Sequence, residues 1–475
     1  MHRFESVPCI QQWNKSPSRN SIVKKLFYVL IVAVVSTLLG GCFDTGSSAA
    51  PPTLTPTAGD NRVKLTWTAS PSVDYWLFTA TDPSLTAFNW TSLPNAHAYV
   101  SAATPFYACG LINGKQTYFA ANGRIDGGPG GPSSSTVSAT PYNASANWSL
   151  NTTNFSSNIY GLGYTSLTTC GNNTALSATG TFAAVGQNGA IFTSPDGISW
   201  TGQSPPVATN LNAVAGYAAN QNNATTPGLR WVAVGDGGKA VYSTDGINWS
   251  VATSTTTTQN LRSIIQVSGS FFAVGDGGTI VSSSDGNTWS LATSGTTNRL
   301  NGISHAGMYV AVGNSGTILT NSGSVWVQQT SNTTSDLYQV AAIASVYGSV
   351  YVAVGNNGTI VTSDSYNHAG KWTALTLGTN PLVGVTVEPR GVETATAYTT
   401  APAVDPWLGF ISSVQFVAID SAGNTYTSVN GHDWSASVST GIAACTTGTS
   451  CMNPLVSSGF GYVAAGDNGQ TAYAF

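Results

Sequence analysis

The chain has 475 residues, but Lys, Arg, Asp and Glu make up only 7% of them, against about 25% in an average globular domain. Hydrophobic residues reach 41% and glycine is abundant, which excludes intrinsic disorder and also a coiled coil or helical bundle. The net charge of −4 excludes the basic stripe that nucleic-acid binding requires, so we predict an all-β protein of two or three domains without a nucleic-acid partner.

The N-terminal region indicates an export signal. Two lysines precede a largely apolar run of 14 residues from Leu26 to Leu39, too short to span a bilayer, which takes about 20 residues, but typical of a secretory signal. The run ends in Leu39-Gly40-Gly41-Cys42, which resembles the bacterial lipobox. The resemblance implies a lipoprotein signal peptide over residues 1–41 and a diacylglycerol on Cys42 that anchors the mature chain to a membrane. The alternative is an ordinary signal peptide with an incidental cysteine.

The same resemblance gives an expected location in the bacterial cell envelope. The residue after Cys42 is Phe43 and not the aspartate that retains lipoproteins in the inner membrane of Gram-negative bacteria, so the outer membrane is favoured. Residues 42–52 are small and polar and are predicted to form a lipidated tether between the anchor and the fold.

Residues 53–142 carry the pattern of a small β-sandwich. Short segments that alternate polar and apolar residues, among them 62–67, 75–80 and 116–121, are separated by turn residues. The strand with Trp67, the turn at 111–114 before Tyr118 and the final SSSTVSATP resemble a fibronectin type III domain. The resemblance implies an immunoglobulin-like sandwich of seven strands in which the Tyr118 hydroxyl bonds to upstream backbone.

The remaining residues, 143–475, consist of repeats. A glycine or aspartate ends an apolar strand at seven positions, and a tryptophan marks the end of each repeat at seven others. The first landmarks are Gly186, Gly235, Gly275, Gly313, Gly355, Asp420 and Gly466, and the second are Trp148, Trp200, Trp249, Trp289, Trp326, Trp372 and Trp434. Because one tryptophan precedes the first glycine and none follows the last, we predict that the two ends of this region complete one blade of a seven-bladed β-propeller.

Each repeat is predicted to hold four strands, the first of which begins at Leu211, Leu261, Leu300, Leu337 or Leu382 in five of them. Turns such as GDGG and GNNG follow the second strand and supply residues that tolerate positive φ. The segments 194–200, 243–249 and 283–289 are similar to the Asp-box, or BNR repeat, of sialidase-like propellers, and the likeness extends to WD40/YVTN-like and photosystem assembly factor-like propellers. It implies that aspartate and serine bind local backbone amides and that tryptophan packs between blades.

Catalytic residues of a sialidase are not found. Such an enzyme needs three arginines for the substrate carboxylate, a Tyr–Glu pair and an acid/base aspartate. The propeller has four scattered arginines, and its only glutamates, Glu388 and Glu393, lie in one insertion beside Arg390. A divergent glycoside hydrolase remains an alternative, because two carboxylates could meet there. We expect no cofactor and no metal, since Asp236, Asp276 and Asp467 are assigned to turns.

Insertions at 166–181, 217–230 and 388–413 are predicted to share the face where the sandwich enters. The residues in and beside them that could bind a protein or glycan ligand are Tyr217, Tyr398, Trp407 and Arg390. The alternative is that these loops pack onto the sandwich. We also predict a disulfide between Cys445 and Cys451, and a second one, Cys109–Cys170, that would join the two domains.

These features together favour a lipid-anchored envelope or surface protein that binds a protein or glycan without catalysis. A divergent sialidase-like hydrolase and an assembly or stability factor for an envelope complex are the two alternatives. Release of sugar from fluorogenic glycosides would indicate the first, and a stoichiometric partner the second.

Overall fold

The computed structural model describes residues 47–60, 62–151, 155–165, 181–218, 229–321, 323, 325–345, 348–364, 371–389, 414–442, 454–458, 461–466 and 469–475. Within these ranges the chain is all-β: it forms 36 strands, single turns of 3₁₀-helix and no α-helix. None of these helical turns could cross a membrane. The 3₁₀ turns are Trp90–Ser92, Ala144–Ala146, Gln187–Gly189, Asp236–Gly238, Asp276–Gly278, Asn314–Gly316 and Asn356–Gly358.

An N-terminal unit consists of two antiparallel sheets around one apolar core. The larger sheet comprises β1 (Ser47–Ala49), β4 (Val73–Ala80), β5 (His97–Tyr99), β7 (Thr117–Ile125) and β8 (Val137–Ala139), and the smaller β2 (Thr55–Gly59), β3 (Arg62–Thr66) and β6 (Phe106–Cys109). Leu65 and Phe106 of the smaller sheet pack with Leu77 and Phe119 of the larger one, and all four are at most 1% exposed. The alternation of RVKLT, predicted from the sequence, therefore directs Val63 and Leu65 into this core.

Two details of this unit differ from the expectation. Ser47–Ala49 lies within the predicted tether but pairs with Gly123–Ile125 of β7, so part of that segment belongs to the sheet. The Tyr118 hydroxyl donates to Gln116 Oε1 at 3.0 Å, so the predicted bond to upstream backbone is wrong. Tyr118 and Gln116 are two residues apart and lie on the same face of an extended chain, which brings the two side chains together.

The rest of the described chain forms seven antiparallel sheets of four strands each. Sheet 1 contains β10 (Ile159–Thr165), β11 (Thr181–Gly186), β12 (Ile191–Ser194) and β13 (Thr201–Gln203). Sheet 2 contains β14 (Leu211–Ala218), β15 (Leu229–Gly235), β16 (Ala240–Ser243) and β17 (Trp249–Val251). Sheet 3 contains β18 (Leu261–Val267), β19 (Ser270–Gly275), β20 (Ile280–Ser283) and β21 (Ser290–Ala292). Sheet 4 contains β22 (Leu300–His305), β23 (Tyr309–Gly313), β24 (Ile318–Asn321) and β25 (Val327–Gln329).

Sheet 5 contains β26 (Leu337–Ser345), β27 (Gly348–Gly355), β28 (Thr359–Asp364) and β29 (Thr373–Thr376). Sheet 6 contains β30 (Leu382–Pro389), β31 (Val414–Asp420), β32 (Asn424–Ser428) and β33 (Val438–Ser439). Sheet 7 contains β34 (Leu455–Ser457), β35 (Tyr462–Ala465), β36 (Thr471–Ala474) and β9 (Ser149–Leu150). Strand β9 comes from the start of this region and pairs with β36 near its end, the arrangement that the offset between the glycine and tryptophan landmarks predicts.

The seven sheets follow one another around a circuit. Each sheet is open and does not close on itself, but its first strand contacts the first strand of the next sheet. These contacts join β10, β14, β18, β22, β26, β30 and β34 in that order, and β34 also contacts β10. Apolar side chains fill the space between neighbouring sheets, where Trp231 and Trp289 are at most 2% exposed. The first strands therefore form the inner wall of a β-propeller domain.

The turn after the third strand has the hydrogen bonds expected from the Asp-box resemblance. In sheet 3 the Asp285 carboxylate accepts from the backbone N–H groups of Asn287 and Thr288, each at 2.8 Å. Ser283 Oγ accepts from Gly286 N–H, and Trp289 Nε1 donates to the Gly286 carbonyl. Trp289 packs against Val232 and Val234 of the preceding sheet. The expected local bonding and packing between blades are thus confirmed here.

The turn after the second strand requires glycine for two reasons. Gly278 has φ +71°, and a Cβ atom placed there would lie 2.0 Å from the Thr296 carbonyl oxygen. The residue before it also has positive φ, and this position is filled by Gly277, Ser315 or Asn357 in three successive sheets. The structure confirms the prediction that GDGG, GNSG and GNNG supply residues tolerant of the left-handed region.

Candidate binding cavity

A cavity of about 600 Å³ lies within the circuit of first strands. Residues of all seven first strands line it, together with the turn residues Asn314, Pro381 and Ser421. The volume falls in the range of about 300–1,000 Å³ that small-molecule sites occupy. The binding groups that the wall offers are the side chains that line this cavity.

The cavity wall is shaped by a β-bulge in six of the seven first strands. In each, the register with the second strand shifts immediately after the leading leucine or isoleucine, for example between Leu261 and Ser263. A bulge adds one unpaired residue and re-aims its side chain. The six bulge residues all line the cavity: Tyr160, Asn212, Arg262, Asn301, Tyr338 and Val383.

Two of the bulge residues are asparagines that tie neighbouring sheets together. Asn212 Nδ2 donates to Asp236 Oδ1 in its own sheet at 3.0 Å and to the Leu261 carbonyl of the next sheet at 2.9 Å. Asn301 Nδ2 donates in the same way to Asn314 Oδ1 at 2.9 Å and to the Leu337 carbonyl at 2.8 Å. The amide donors therefore hold the wall together. Asn301 Oδ1, in contrast, is buried and has no hydrogen-bond partner among the described residues.

Arg262 is held in place by two aspartates. Its Nε and Nη2 donate to the two carboxylate oxygens of Asp276 at 2.9 and 2.8 Å, and its Nη1 lies 3.9 Å from Asp236 Oδ1. The bond to Asp276 raises the pKa of Arg262. Burial opposes ionisation of Asp276, but the hydrogen bond from Arg262 and the charges of Arg262 and Arg299 outweigh it, so the pKa of Asp276 is lowered. This bidentate pair is part of the wall.

Arg299 also lies beside Asp276, but without the bidentate hydrogen bonds that Arg262 makes. Arg299 Nε forms an ion pair with Asp276 Oδ1 at 3.4 Å, but this buried nitrogen makes no hydrogen bond to the described part of the chain. Burial and the Arg262 charge lower the pKa of Arg299, and Asp276 and Asp336 oppose the shift. An arginine stays protonated under such shifts, because its ordinary pKa is above 12. Arg299 therefore brings a charged guanidinium with unused donors to the cavity.

These residues correct one part of the sequence interpretation. Asp236 and Asp276 were assigned to turn chemistry, but their carboxylates bind side chains: Asn210 and Asn212 for Asp236, and Asn260 and Arg262 for Asp276. Both residues do lie in the turns to which the sequence assigns them, but these turns close through backbone atoms, which leaves the carboxylates free to bond to side chains of the wall. Asp467 lies outside the described residues. Among the residues that the structure does describe, no three His, Cys, Asp or Glu side chains form a metal-binding group.

The ligand-binding residues suggested by the sequence do not line this cavity where they can be placed. Tyr217 is half-buried and packs on the Phe271 ring, with the ring centroids 6.0 Å apart. Tyr398, Trp407 and Arg390 lie outside the described residues. The signal that would have found the wall is the polar residue after the leading leucine, as in Leu261-Arg262 and Leu300-Asn301.

The N-terminal unit lies beside the end of β10, where the first insertion begins. Burial and the neighbouring Tyr107 raise the pKa of Tyr164 to about 12, while the Arg62 charge acts in the opposite direction. Tyr107 and Arg62 belong to the N-terminal unit, and Tyr164 belongs to β10. Cys42, Cys170, Cys445 and Cys451 lie outside the described residues, so the lipidation and both cysteine pairings stay predictions.

A family model described as the DUF6242 beta propeller domain matches residues 229–337, which run from the second strand of sheet 2 through sheets 3 and 4 to the first residue of sheet 5. None of the curated proteins compared with the chain matches it significantly. Several solved structures align with the chain at low identity. A structure titled "YCF48 bound to D1 peptide" has 16% identity and a TM-score of 0.48, and the alignment covers 71% of this chain and 98% of that one.

YCF48 from Cyanidioschyzon merolae has 13% identity and a TM-score of 0.46 over 69% of this chain and 98% of its own. Selenomethionine-substituted virginiamycin B lyase from Staphylococcus aureus has 10% identity and a TM-score of 0.49 over 69% and 99%. The β-propeller assignment rests on the sheet arrangement and on the matching family model.

Proposed function

We propose that this protein is a lipid-anchored envelope or surface protein whose seven sheets act as the blades of a non-catalytic binding propeller, with a protein or glycan as its ligand. The observation that supports the proposal is the cavity wall itself: about 600 Å³ of concave space, lined by residues of all seven first strands and by the Arg299 side chain. Concave sites of this size that combine apolar lining with a few polar groups are where proteins usually bind ligands.

The state of the carboxylates favours binding over hydrolysis. A glycosidase needs one carboxyl group that stays protonated near neutral pH to act as the general acid. Burial opposes ionisation of Asp276, but its bonds to Arg262 lower its pKa, which makes it a poor acid. Asp236 accepts hydrogen bonds from two asparagines and is held in the wall. Assays with fluorogenic glycosides test the hydrolase alternative, and we expect no release of the fluorophore.

The proposal includes the finer architecture expected from the sequence. Cys42 would carry the lipid, and the N-terminal unit would be a fibronectin type III-like spacer between an outer-membrane anchor and the propeller. Metabolic labelling with an alkyne fatty acid tests the anchor, and we expect Cys42→Ala to abolish the label. Mass spectrometry under non-reducing conditions tests the pairs Cys445–Cys451 and Cys109–Cys170. Free thiols at these positions would contradict the pairing.

Ligand binding is tested with residues 43–475, the mature chain without its lipidated Cys42, on a glycan array and in an affinity pull-down from envelope extract. We expect either a glycan or a protein to be retained, and its retention to fall when Arg299 is replaced by Gln. A partner recovered in stoichiometric amounts would favour the role as an assembly or stability factor. Retention that is equal for the wild type and Arg299→Gln would show that the ligand binds elsewhere, and no retention in either assay would contradict the proposed function.

A further inference from the structure

We infer that one end of the N-terminal unit, the free end at which β1 begins, lies against the surface of the lipid bilayer, and that the unit holds the propeller away from it. The inference rests on the lipid anchor at Cys42 in the proposed function and names the surface that meets the membrane. It follows from the length of the tether, from the ends at which the chain enters and leaves the unit, and from the junction with the propeller.

The tether between the anchor and the unit is short. Only residues 43–46 separate Cys42 from β1, which pairs with β7. Strand β1 is closely packed, because a Cβ atom on Gly131 would lie 2.0 Å from the Ala49 carbonyl oxygen. The extended chain from Cys42 to the start of β1 spans at most about 18 Å. The acyl chains on Cys42 would lie in the hydrocarbon below a headgroup layer of about 5–8 Å, so β1 begins close to the bilayer surface.

The chain enters and leaves the unit at opposite ends. Ser47, the first residue of β1, pairs with Ile125 at the end of β7. At the start of β7, Thr117 pairs with Ala139 of β8, after which the chain continues to the propeller. Strand β7 has nine residues and spans about 30 Å. The free end is therefore the end nearest to the anchor, and the chain leaves the unit about 30 Å away from it.

The connecting segment, residues 142–148, joins the unit to the propeller through fixed contacts. Its Ala144 is buried in the apolar core of sheets 6 and 7. Ser145 Oγ accepts from Gln415 Nε2 at 3.2 Å, and Gln415 Oε1 accepts from the Tyr462 hydroxyl at 3.1 Å. A flexible linker makes few such contacts, so this segment acts as a stiff junction. The distance of the propeller from the bilayer is then set by the N-terminal unit.

The free end suits contact with lipid headgroups without insertion. It consists of residues 70–73 (SPSV) and 125–129 (IDGGP), most of which are exposed and of which only Asp126 is charged. These segments contain no aromatic residue that would anchor in the interface and no lysine or arginine that would attract anionic lipids. The adjacent Arg124 is stacked on the Trp76 ring, 3.6 Å from its centroid. The lipid and the short tether therefore hold this surface on the membrane.

Quenching by a nitroxide in the headgroup layer tests the inference. The full lipidated chain is produced with p-acetylphenylalanine in place of Ser70, in the free end, or of Lys115, at the end next to the propeller, both of which are exposed. A fluorophore attached to the ketone leaves every cysteine unchanged. Each chain is placed in phosphatidylethanolamine–phosphatidylglycerol vesicles with and without a lipid that carries a nitroxide on its headgroup. We expect more than half of the fluorescence to be lost at Ser70 and almost none at Lys115, because about 30 Å separates the two ends.

A variant with a longer tether is the matched control. Insertion of about 30 glycine and serine residues after Gly46 extends the reach of the tether, so the quenching at Ser70 should fall below half of its value with the natural tether. Residues 43–475, which carry no lipid, should stay in the supernatant when the vesicles are pelleted. Equal quenching at Ser70 and Lys115 would show that the unit lies on its side, and quenching at neither would show that it stands clear of the bilayer. Either result, quenching that survives the longer tether, or pelleting of residues 43–475 would overturn the inference.

The outcomes separate the inference from the proposed function. The intact mass of the chain shows whether Cys42 carries its lipid before the vesicles are made. A chain without the lipid contradicts the anchor of the proposed function, and the inference falls with it. A lipidated chain with either unexpected pattern of quenching overturns the inference alone, because the glycan array and the pull-down decide ligand binding independently.

Discussion

Each repeat contributes both a turn after its third strand, here called the outer turn, and a part of the cavity wall. The aspartates of these two regions receive their hydrogen bonds from different kinds of donor. In the outer turn of sheet 3, Asp285 accepts from Ser283 and from backbone N–H groups two and three residues ahead. At the wall, Asp276 accepts from the side chains of Asn260 and Arg262. A turn whose carboxylate accepts only from groups of the turn itself can recur in every repeat, whatever residues the neighbouring sheets carry. A carboxylate satisfied by side chains depends on which residues the wall presents.

The outer turn is therefore the part of the repeat that maintains the fold, and the bulge position is the part that differs from one repeat to the next. The outer turn has the same bonds in sheets 1, 2 and 3, and Asn430 makes them in sheet 6. The bulge residue, in contrast, is aromatic in sheets 1 and 5, an asparagine in sheets 2 and 4, an arginine in sheet 3 and a valine in sheet 6. The positions that are the same in each repeat thus belong to the scaffold, and the positions that differ between repeats line the cavity.

The largest effect is expected at the outer turn, for Trp289→Ala. Trp289 is 2% exposed and packs between sheets 2 and 3, so its removal leaves a cavity in the core. Such changes cost about 3–5 kcal/mol. We expect a large fall in the midpoint of urea unfolding. Leu291→Ala, two residues away but 60% exposed, is the matched control and should change the stability by less than about 0.5 kcal/mol. Similar midpoints for both variants would show that the tryptophan does not join the sheets.

At the cavity wall, Asp276→Asn is expected to have the next largest effect. The change removes the negative charge beside Arg262 and Arg299 and leaves two arginines facing each other. Because the pair is only partly buried, the loss of its charged partner should cost about 1 kcal/mol, the lower end of the range for a buried hydrogen-bonded pair. Unfolding followed by circular dichroism measures the loss, and Asp276→Asn combined with Arg262→Gln should recover part of it. A variant as stable as the wild type would show that the pair does not support the wall.

The sequence predicts the scaffold better than the wall, for a physical reason. The outer turns and the strand starts at Leu211, Leu261 and Leu300 follow from a pattern that repeats, because the packing between sheets is the same each time. The bulge at Arg262 depends on register, which no single repeat specifies. The pairing of Arg262 with Asp276 depends on which residue occupies that bulge. Because Asp276 is already bound by Arg262, Arg299 forms only a longer ion pair with it. The site therefore lies where the repeats differ.

A titration at two salt concentrations distinguishes the two kinds of aspartate. In the outer turn of sheet 2, burial raises the pKa of Asp245, but the bonds from Asn248, Ile247 and Ser243 outweigh it and lower the value to about 2. Fixed hydrogen bonds are not screened by salt, whereas the charges of arginines are. Carboxyl NMR should show that salt raises the pKa of Asp276 and leaves that of Asp245 near 2. Equal responses would contradict the distinction.

The same shifts determine how stability depends on pH. Both carboxyl groups have a lower pKa in the folded chain than the ordinary value near 3.9, so each stabilises the fold above about pH 4. This contribution is lost as the pH falls, for Asp245 through about 2. The free energy of unfolding should therefore decrease from about pH 5 downwards, and the midpoint of urea unfolding between pH 7 and pH 3 measures it.

The smallest effect is expected for Asp285→Asn, the outer-turn counterpart of Asp276→Asn. An asparagine keeps an oxygen for the N–H groups of Asn287 and Thr288, and in sheet 6 Asn430 Oδ1 already accepts from His432 and Asp433 N–H at 2.9 and 2.8 Å. The change should alter the stability by no more than about 0.5 kcal/mol. Asp285→Ala removes the acceptor and should cost about 1 kcal/mol, as the loss of a helix cap does. The two Asp→Asn variants make the same chemical change at carboxylates whose donors differ, local backbone amides at Asp285 and side chains at Asp276. A loss of stability at Asp285 as large as that at Asp276 would show that the outer turn is stabilised by the charge and not by the local amide hydrogen bonds.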